Sequence, residues 1–212
     1  MARNRQPPRP LRRRVATRQP RKTLGVFCEG QRTEPEYLDA LRREPEVHDG
    51  AAVDIRIEHA VSGAVPLTLV RMAVEARNRA IDEEGEIDEF WCVYDVEWPI
   101  HHPGLAQARE LAKRNHIQLA ISNPCFELWL ALHFRDYRGF LDNEEARRVR
   151  RSHDGKADKG LDGALYMPLR DGAAKRAAVL ERFHLENGSR CPDDNPSSGM
   201  HRLLASVLPP RT

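Results

Sequence analysis

The sequence predicts an α/β fold. A mostly parallel sheet flanked by helices is followed by a helical C-terminal region and preceded by a disordered basic tail. Three observations predict it. Short apolar runs alternate with stretches of helical periodicity from about residue 23 to 121, the pattern of strands joined by right-handed crossovers. Two of the apolar runs stop at carboxylates: Val26-Phe27-Cys28 leads into Glu29-Gly30, and Trp91-Cys92-Val93-Tyr94 leads into Asp95-Val96-Glu97. Residues 1–22 carry nine Lys or Arg and no acid, against 25 basic and 32 acidic residues in the rest, a net of −7 beyond the tail.

Each element has its own warrant. The first strand, 23–28, is an apolar run ended by Glu29-Gly30. A helix over 33–43 follows, with Thr33 as N-cap and Pro35 in the first turn. Residues 53–58 alternate apolar and polar side chains, so they form a strand with one polar face. Leu69, Val70, Ala73, Val74, Ala76 and Ile81 line one side of a helix over 66–83. Strand 89–94, helix 105–115 and strand 117–121 continue the alternation. From 122 to 138 cap residues lead into a strongly apolar helix. Phe126, Leu128, Trp129, Leu130 and Leu132 cover too much of its circumference for a surface helix. The chain then turns helical and charged, over 143–151, 160–166 and 172–187, and ends in a capped helix within 195–208. The organisation expected is a basic tail 1–22, an α/β core 23–138 and a helical region 139–212 packed on it.

Composition narrows the function classes. The chain has 212 residues, 40% hydrophobic and 31% charged, enough for one sizeable domain. No apolar run approaches the ~20 residues that span a bilayer, and the N-terminus has no apolar h-region. Cys28, Cys92, Cys125 and Cys191 form no C-x-x-C pair. A cytoplasmic protein without disulfides or a zinc site is the expectation. Neither G-x-x-x-x-G-K-S/T nor G-x-G-x-x-G occurs, nor a serine-hydrolase elbow, so nothing points to nucleotide hydrolysis. The tail has four prolines and little apolar content, too little burial to offset its ordering entropy. Arg12, Arg13, Arg14, Arg18, Arg21 and Lys22 are its candidate nucleic-acid contacts, since a basic arm beside an acidic body suits a polyanion.

The candidate site follows from the strand ends. Ligands bind outside the carboxyl ends of the strands in open α/β sheets. Carboxylates gathered there repel one another unless a cation or a shared proton relieves them. Mg²⁺ or Mn²⁺ is the simplest occupant, because both prefer hard oxygen ligands. Glu29, Asp95 and Glu97 are the candidates. Asp95 and Glu97 point the same way if strand geometry continues through Val96. Glu127, a charge inside the apolar helix, must be paired or metal-bound. His133 lies six residues on, roughly 240° around the helix, and reads as a supporting or core histidine. Glu34 is either an additional ligand or a charge favoured by the helix N-terminus.

These residues resemble a known family. Cys28-Glu29-Gly30-x-x-Thr33-Glu34-x-x-Tyr37, Tyr94-Asp95-x-Glu97, the run from Ser122-Asn123-Pro124-Cys125-Phe126-Glu127-Leu128-Trp129-Leu130 to His133-Phe134, and Asn195-Pro196-Ser197-Ser198-x-x-His201-x-Leu203 look like the RloB family over about 23–208. The strand-Glu-Gly and later acidic pair are similar to a Toprim fold, a Rossmann-like sheet. The resemblance implies a Mg²⁺- or Mn²⁺-dependent nuclease acting on DNA or RNA in anti-phage defence, beside an RloA-type ATPase. It also implies Glu29 as general base or metal ligand, Asp95 and Glu97 as metal ligands, Glu127 as a further ligand, and Glu34, His133 and Asn123 in supporting places. A homo-oligomer is compatible with it, and no membrane is involved. Glu97 departs from the Toprim pattern, standing where a second Asp is expected. A non-catalytic nucleic-acid-binding or regulatory subunit is the alternative.

Overall fold

The computed structural model describes residues 22–47, 53–59, 65–82, 87–156 and 160–208. Residues 1–21 of the expected tail, with Arg12, Arg13, Arg14, Arg18 and Arg21, lie outside the described residues, whereas Lys22 opens the first strand.

Four parallel strands and one short antiparallel strand make the sheet, in the order β2-β1-β3-β4-β5. They are β1 (Lys22–Cys28), β2 (Val53–His59), β3 (Glu89–Asp95), β4 (Gln118–Asn123) and β5 (Ser197–Ser198). Between them run α1 (Thr33–Arg42), α2 (Pro66–Asp82) and α3 (Leu105–Arg114). After β4 come α4 (Phe126–Ala131), α5 (Asn143–Asp154), α6 (Gly163–Tyr166), a 3₁₀ turn at Met167–Leu169, α7 (Arg170–Glu186) and, after β5, α8 (Met200–Val207). None of the described helices is long and apolar enough to cross a membrane.

Period-two alternation assigns each strand residue to one of two cores. Leu24, Val26 and Cys28 of β1, Trp91 and Val93 of β3 and Ala120 of β4 face a core built with α1, α4, α7 and α8. Phe27, Phe90, Cys92 and Tyr94 face the opposite core, closed by α2 and α3. Both faces are therefore covered, as a parallel sheet requires. Gly25 has a packing reason: a Cβ there would stand 3.3 Å from the Phe90 ring.

Three local expectations are corrected. The N-cap of α1 is Arg32, and Thr33 is its first helical residue. Ile81 lies outside the buried stripe of α2, at 60% exposure; the C-terminal part of the helix packs on the core through Ala76 and Ala80 instead. The apolar helix beyond 122 is short, ending at Ala131. Arg176 of α7 donates to the carbonyls of Leu132 and His133 at 2.9 and 3.2 Å, so a tertiary partner satisfies the end that further helix would have covered.

His133 occupies the core rather than the rim. Its ring packs edge-on against Tyr37, Trp129 and Tyr166, with centroids 5.0–5.5 Å apart. Nδ1 lies 3.0 Å from the Trp129 carbonyl and Nε2 3.2 Å from the Tyr37 hydroxyl. A carbonyl can only accept, so Nδ1 carries the proton and Nε2 receives the Tyr37 O–H. Burial pushes this imidazole down from 6.5 to about 4. The native state thus refuses a proton that the unfolded chain takes up. The stabilisation is whole above pH 6.5 and is lost as pH falls toward about 4. The loss should reach on the order of 3 kcal/mol. In chemical denaturation at a series of pH values, His133→Leu is expected to remove that slope whatever its effect on stability at neutral pH.

Candidate metal centre

Strand order reverses between β1 and β3: the chain leaves β1 toward β2 on one side and continues from β3 toward β4 on the other. The crevice of a doubly wound sheet opens at such a switch point. Glu29 follows β1 and Asp95 ends β3, so both carboxylates are delivered to that crevice. It is a cleft of about 240 Å³, room for a hydrated ion and a phosphate group, since water occupies roughly 30 Å³. Glu29, Glu34, Asp95, Glu97 and Glu127 all line it, together with His102, Arg32 and Arg147.

Each acid is held by local structure. The Glu29 amide continues the sheet ladder by donating to Val93 at 3.0 Å. Its Oε2 accepts from the Asp95 amide at 3.1 Å, and its Oε1 lies 2.7 Å from His102 Nε2. Glu34 rises from the first turn of α1 and is buried. Its carboxylate lies over Gly30, where a Cβ would run into it. Glu127 comes from the first turn of α4 and is also buried.

Glu97 reaches the cleft by a route other than strand continuation. β3 ends at Asp95, and Glu97 adopts φ +69°, a left-handed conformation costing a non-glycine residue roughly 1–2 kcal/mol. The surroundings compensate: its amide donates to the Pro124 carbonyl at 2.9 Å, and Asn143 Nδ2 donates to its Oε2. Asn143 is the first residue of α5.

Electrostatics mark Asp95 as the centre of the cluster. Its Oδ1 is shut off from solvent and has no hydrogen-bond partner. Burial, then the charges of Glu34, Glu29, Glu127 and Glu97, push its carboxyl well above the ordinary range. Glu97 is raised as well, by burial first. His102 and Arg147 pull it back, while Glu29 and Glu127 add to the rise. The hydrogen bond to Glu29 raises His102 against the effect of its burial. As the side chains stand, no three His, Cys, Asp or Glu among the described residues close around a single point as metal ligands do. The donor set nonetheless fits a hard dication: every acid offers oxygen, and an orphaned buried carboxylate oxygen faces four like charges.

Other expected residues lie elsewhere. Asn123 Nδ2 donates to the Pro192 carbonyl and to Asp194 Oδ1 at 2.8 and 2.9 Å, tying the loop before β5 to the end of β4. Lys22 pairs with Glu89 at 2.7 Å and donates to Ser206. It sits at the amino end of β1, roughly 20 Å along the strand from the rim. His102, Asn143 and Arg147 were invisible to motif reasoning. Only His102 left a sequence signal, a histidine shortly after the Asp95-x-Glu97 pair.

In a comparison with protein families, residues 24–207 match the family described as RloB-like protein. The chain belongs to that family. Comparison with the curated proteins and with the solved structures finds no match.

A raised carboxyl stabilises the fold below its unfolded pKa, and that stabilisation is lost as pH rises through the folded value. The metal-free protein should therefore lose stability through Asp95 and Glu97 as pH rises above the ordinary carboxylate range. Asp95→Asn is expected to melt higher than wild type at pH 8 and to flatten the pH dependence, as read by thermal denaturation in chelator. Equal melting temperatures at pH 8 would mean that the cluster is already relieved.

Proposed function

We propose that this member of the RloB-like family is a metal-dependent nuclease whose carboxylate cleft hydrolyses phosphodiester bonds of DNA or RNA. The observation that carries the reading is the partnerless, buried Asp95 Oδ1 facing four other carboxylates at the sheet's switch point. A buried carboxylate oxygen without a hydrogen-bond partner, set among like charges, is relieved by a cation or a proton.

Asp95 and Glu97 would hold Mg²⁺ or Mn²⁺, with Glu127, Glu34 and, where it does not act as the base, Glu29 as further oxygen donors. The bound ion supplies charge neutralisation at the phosphate and the leaving oxygen. The chain's own groups do the rest. Glu29 is placed to take a proton from the attacking water as the new oxygen–phosphorus bond forms. His102 Nε2, 2.7 Å from Glu29, holds that carboxylate in place; the leaving oxygen, in line on the far side of the phosphorus, would have its charge met by the ion and its proton supplied by solvent. Arg147 and Arg32 line the same cleft and can meet the non-bridging phosphate oxygens. Asn143 keeps Glu97 turned inward. A cytoplasmic place in anti-phage defence, beside an RloA-type ATPase, rests on family membership alone. One observation favours the alternative of a non-catalytic subunit: the carboxylates do not close around a single point as they stand.

The test is cleavage of labelled single- and double-stranded DNA and RNA in Mg²⁺, Mn²⁺ or chelator. Products should form only with the cation. Asp95→Asn should slow the reaction by roughly 100-fold or more, the scale of losing one electrostatic contact to a transition state. No cleavage of any substrate in either metal would leave the regulatory reading.

A further inference from the structure

The loop after Asp95 carries side chains that the proposed chemistry does not use. Trp98, Ile100 and Phe140 are 38%, 83% and 54% exposed. The Trp98 ring stands 5.1 Å from Phe140, nearly perpendicular, and 5.4 Å from His101, tilted by 56°. These are packed rings, yet they face solvent. The loop is also braced. The Trp98 amide donates to Asn143 Oδ1 at 3.1 Å, and the His102 amide donates to the Val96 carbonyl at 3.1 Å. Asn143 thus holds both the aromatic loop and the Glu97 carboxylate.

We propose that Trp98, His101 and Phe140 form a stacking ledge for unpaired nucleobases at the edge of the acidic cleft. This deepens the nuclease reading and rests on it for the identity of the cleft. Every base has a π-face, and aromatic side chains bind it with little regard to sequence. Bases inside a duplex already have both faces covered by their neighbours, so the ledge selects single-stranded or splayed-out segments. Trp98 follows Glu97, which lines the cleft, and both are held by Asn143, so the ledge and the cleft are tied together by one side chain. Arg147, on α5 one turn beyond Asn143, lines that cleft and supplies the positive charge a phosphate needs there. A braced loop also spends little ordering entropy on binding. The exposed apolar side chains of α7, Val179 and Phe183, have no such continuity with a site.

The chain offers its own probe. Of its three tryptophans, Trp91 and Trp129 are 4% and 0% exposed, leaving Trp98 as the accessible one. The experiment titrates full-length protein with short oligodeoxynucleotides and oligoribonucleotides, single-stranded and duplex. Ca²⁺, an oxygen-preferring dication of the same charge, replaces Mg²⁺. Single strands should quench tryptophan emission, and Trp98→Phe should abolish the quench while keeping most of the affinity. Trp98→Ala and Phe140→Ala should each weaken single-strand binding by roughly tenfold, the lower part of the range for lost base–aromatic stacking, with duplex binding nearly unchanged. Whether DNA or RNA quenches more strongly identifies the preferred strand. Absence of quenching by either, or equal losses for single strand and duplex, overturns the ledge and leaves it a surface for a protein partner. An active nuclease whose Trp98→Ala variant binds single strands as wild type does refutes the ledge alone. Quenching without metal-dependent cleavage refutes the hydrolytic reading alone.

Discussion

Like charge crowded at the sheet's switch point is the constraint on which the rest depends. Five carboxylates share one cleft, and Asp95 leaves Oδ1 shut off from solvent without a partner. An unrelieved cluster of this kind works against folding, because each ionised acid raises the cost of ionising the next. Burial and the neighbouring charges hold the Asp95 carboxyl above its ordinary range, while the His102–Glu29 pair and Arg147 set positive charge beside the cluster. Glu97, meanwhile, is held in a strained backbone conformation, a feature that persists only where the surroundings over-determine it. Stability is given up locally to keep the acids together.

The surrounding fold supplies what this arrangement costs. The core on the α1 side holds Trp129 and Tyr37 fully buried, with edge-on ring contacts at 5.9 Å. Such aromatic pairs add about 0.5–1.5 kcal/mol beyond area burial. Elements from the second half of the chain reinforce it. Arg150 and Asp154 pair at 2.8 Å in a buried site, with the Tyr166 hydroxyl donating to the same carboxylate. Arg170 reaches both Glu44 and Glu46 beyond the end of α1. These contacts fix α1 and α5, the helices that present Glu34 and Asn143 to the cleft.

Much of this was legible in the sequence, for physical reasons. β1 and β3 are buried on both faces and so read as short continuous apolar runs, β2 kept a polar face and alternated, and the helices between them kept the 3.6 period, so the β1 to β4 order could be read from side chains alone. A carboxylate ending a buried strand can only emerge at the sheet's rim, and Glu29 and Asp95 do so. Glu127 stood out as a charge in an apolar helix. The illegible parts depend on contacts distant in sequence. Asn143 meets Glu97 across 46 residues, and Arg176 ends α4 from 43 and 44 residues away. The left-handed turn at Glu97 breaks the i, i+2 logic, yet tertiary hydrogen bonds return its carboxylate to the cleft. Asn123 and Lys22 show the converse: polar residues beside a motif or within a basic tail that serve to tie the fold together.

The central claim is that the rim acids form a divalent-cation site. It is tested most directly by soaking crystals of the protein in Mn²⁺ and locating the metal from its anomalous scattering. The account predicts one or two peaks in the cleft, bound by Asp95 together with Glu29 or Glu97 at roughly 2.0–2.2 Å, the range for small hard dications on oxygen. A well-ordered cleft with Asp95 Oδ1 still unpartnered and no anomalous peak at millimolar Mn²⁺ would contradict it.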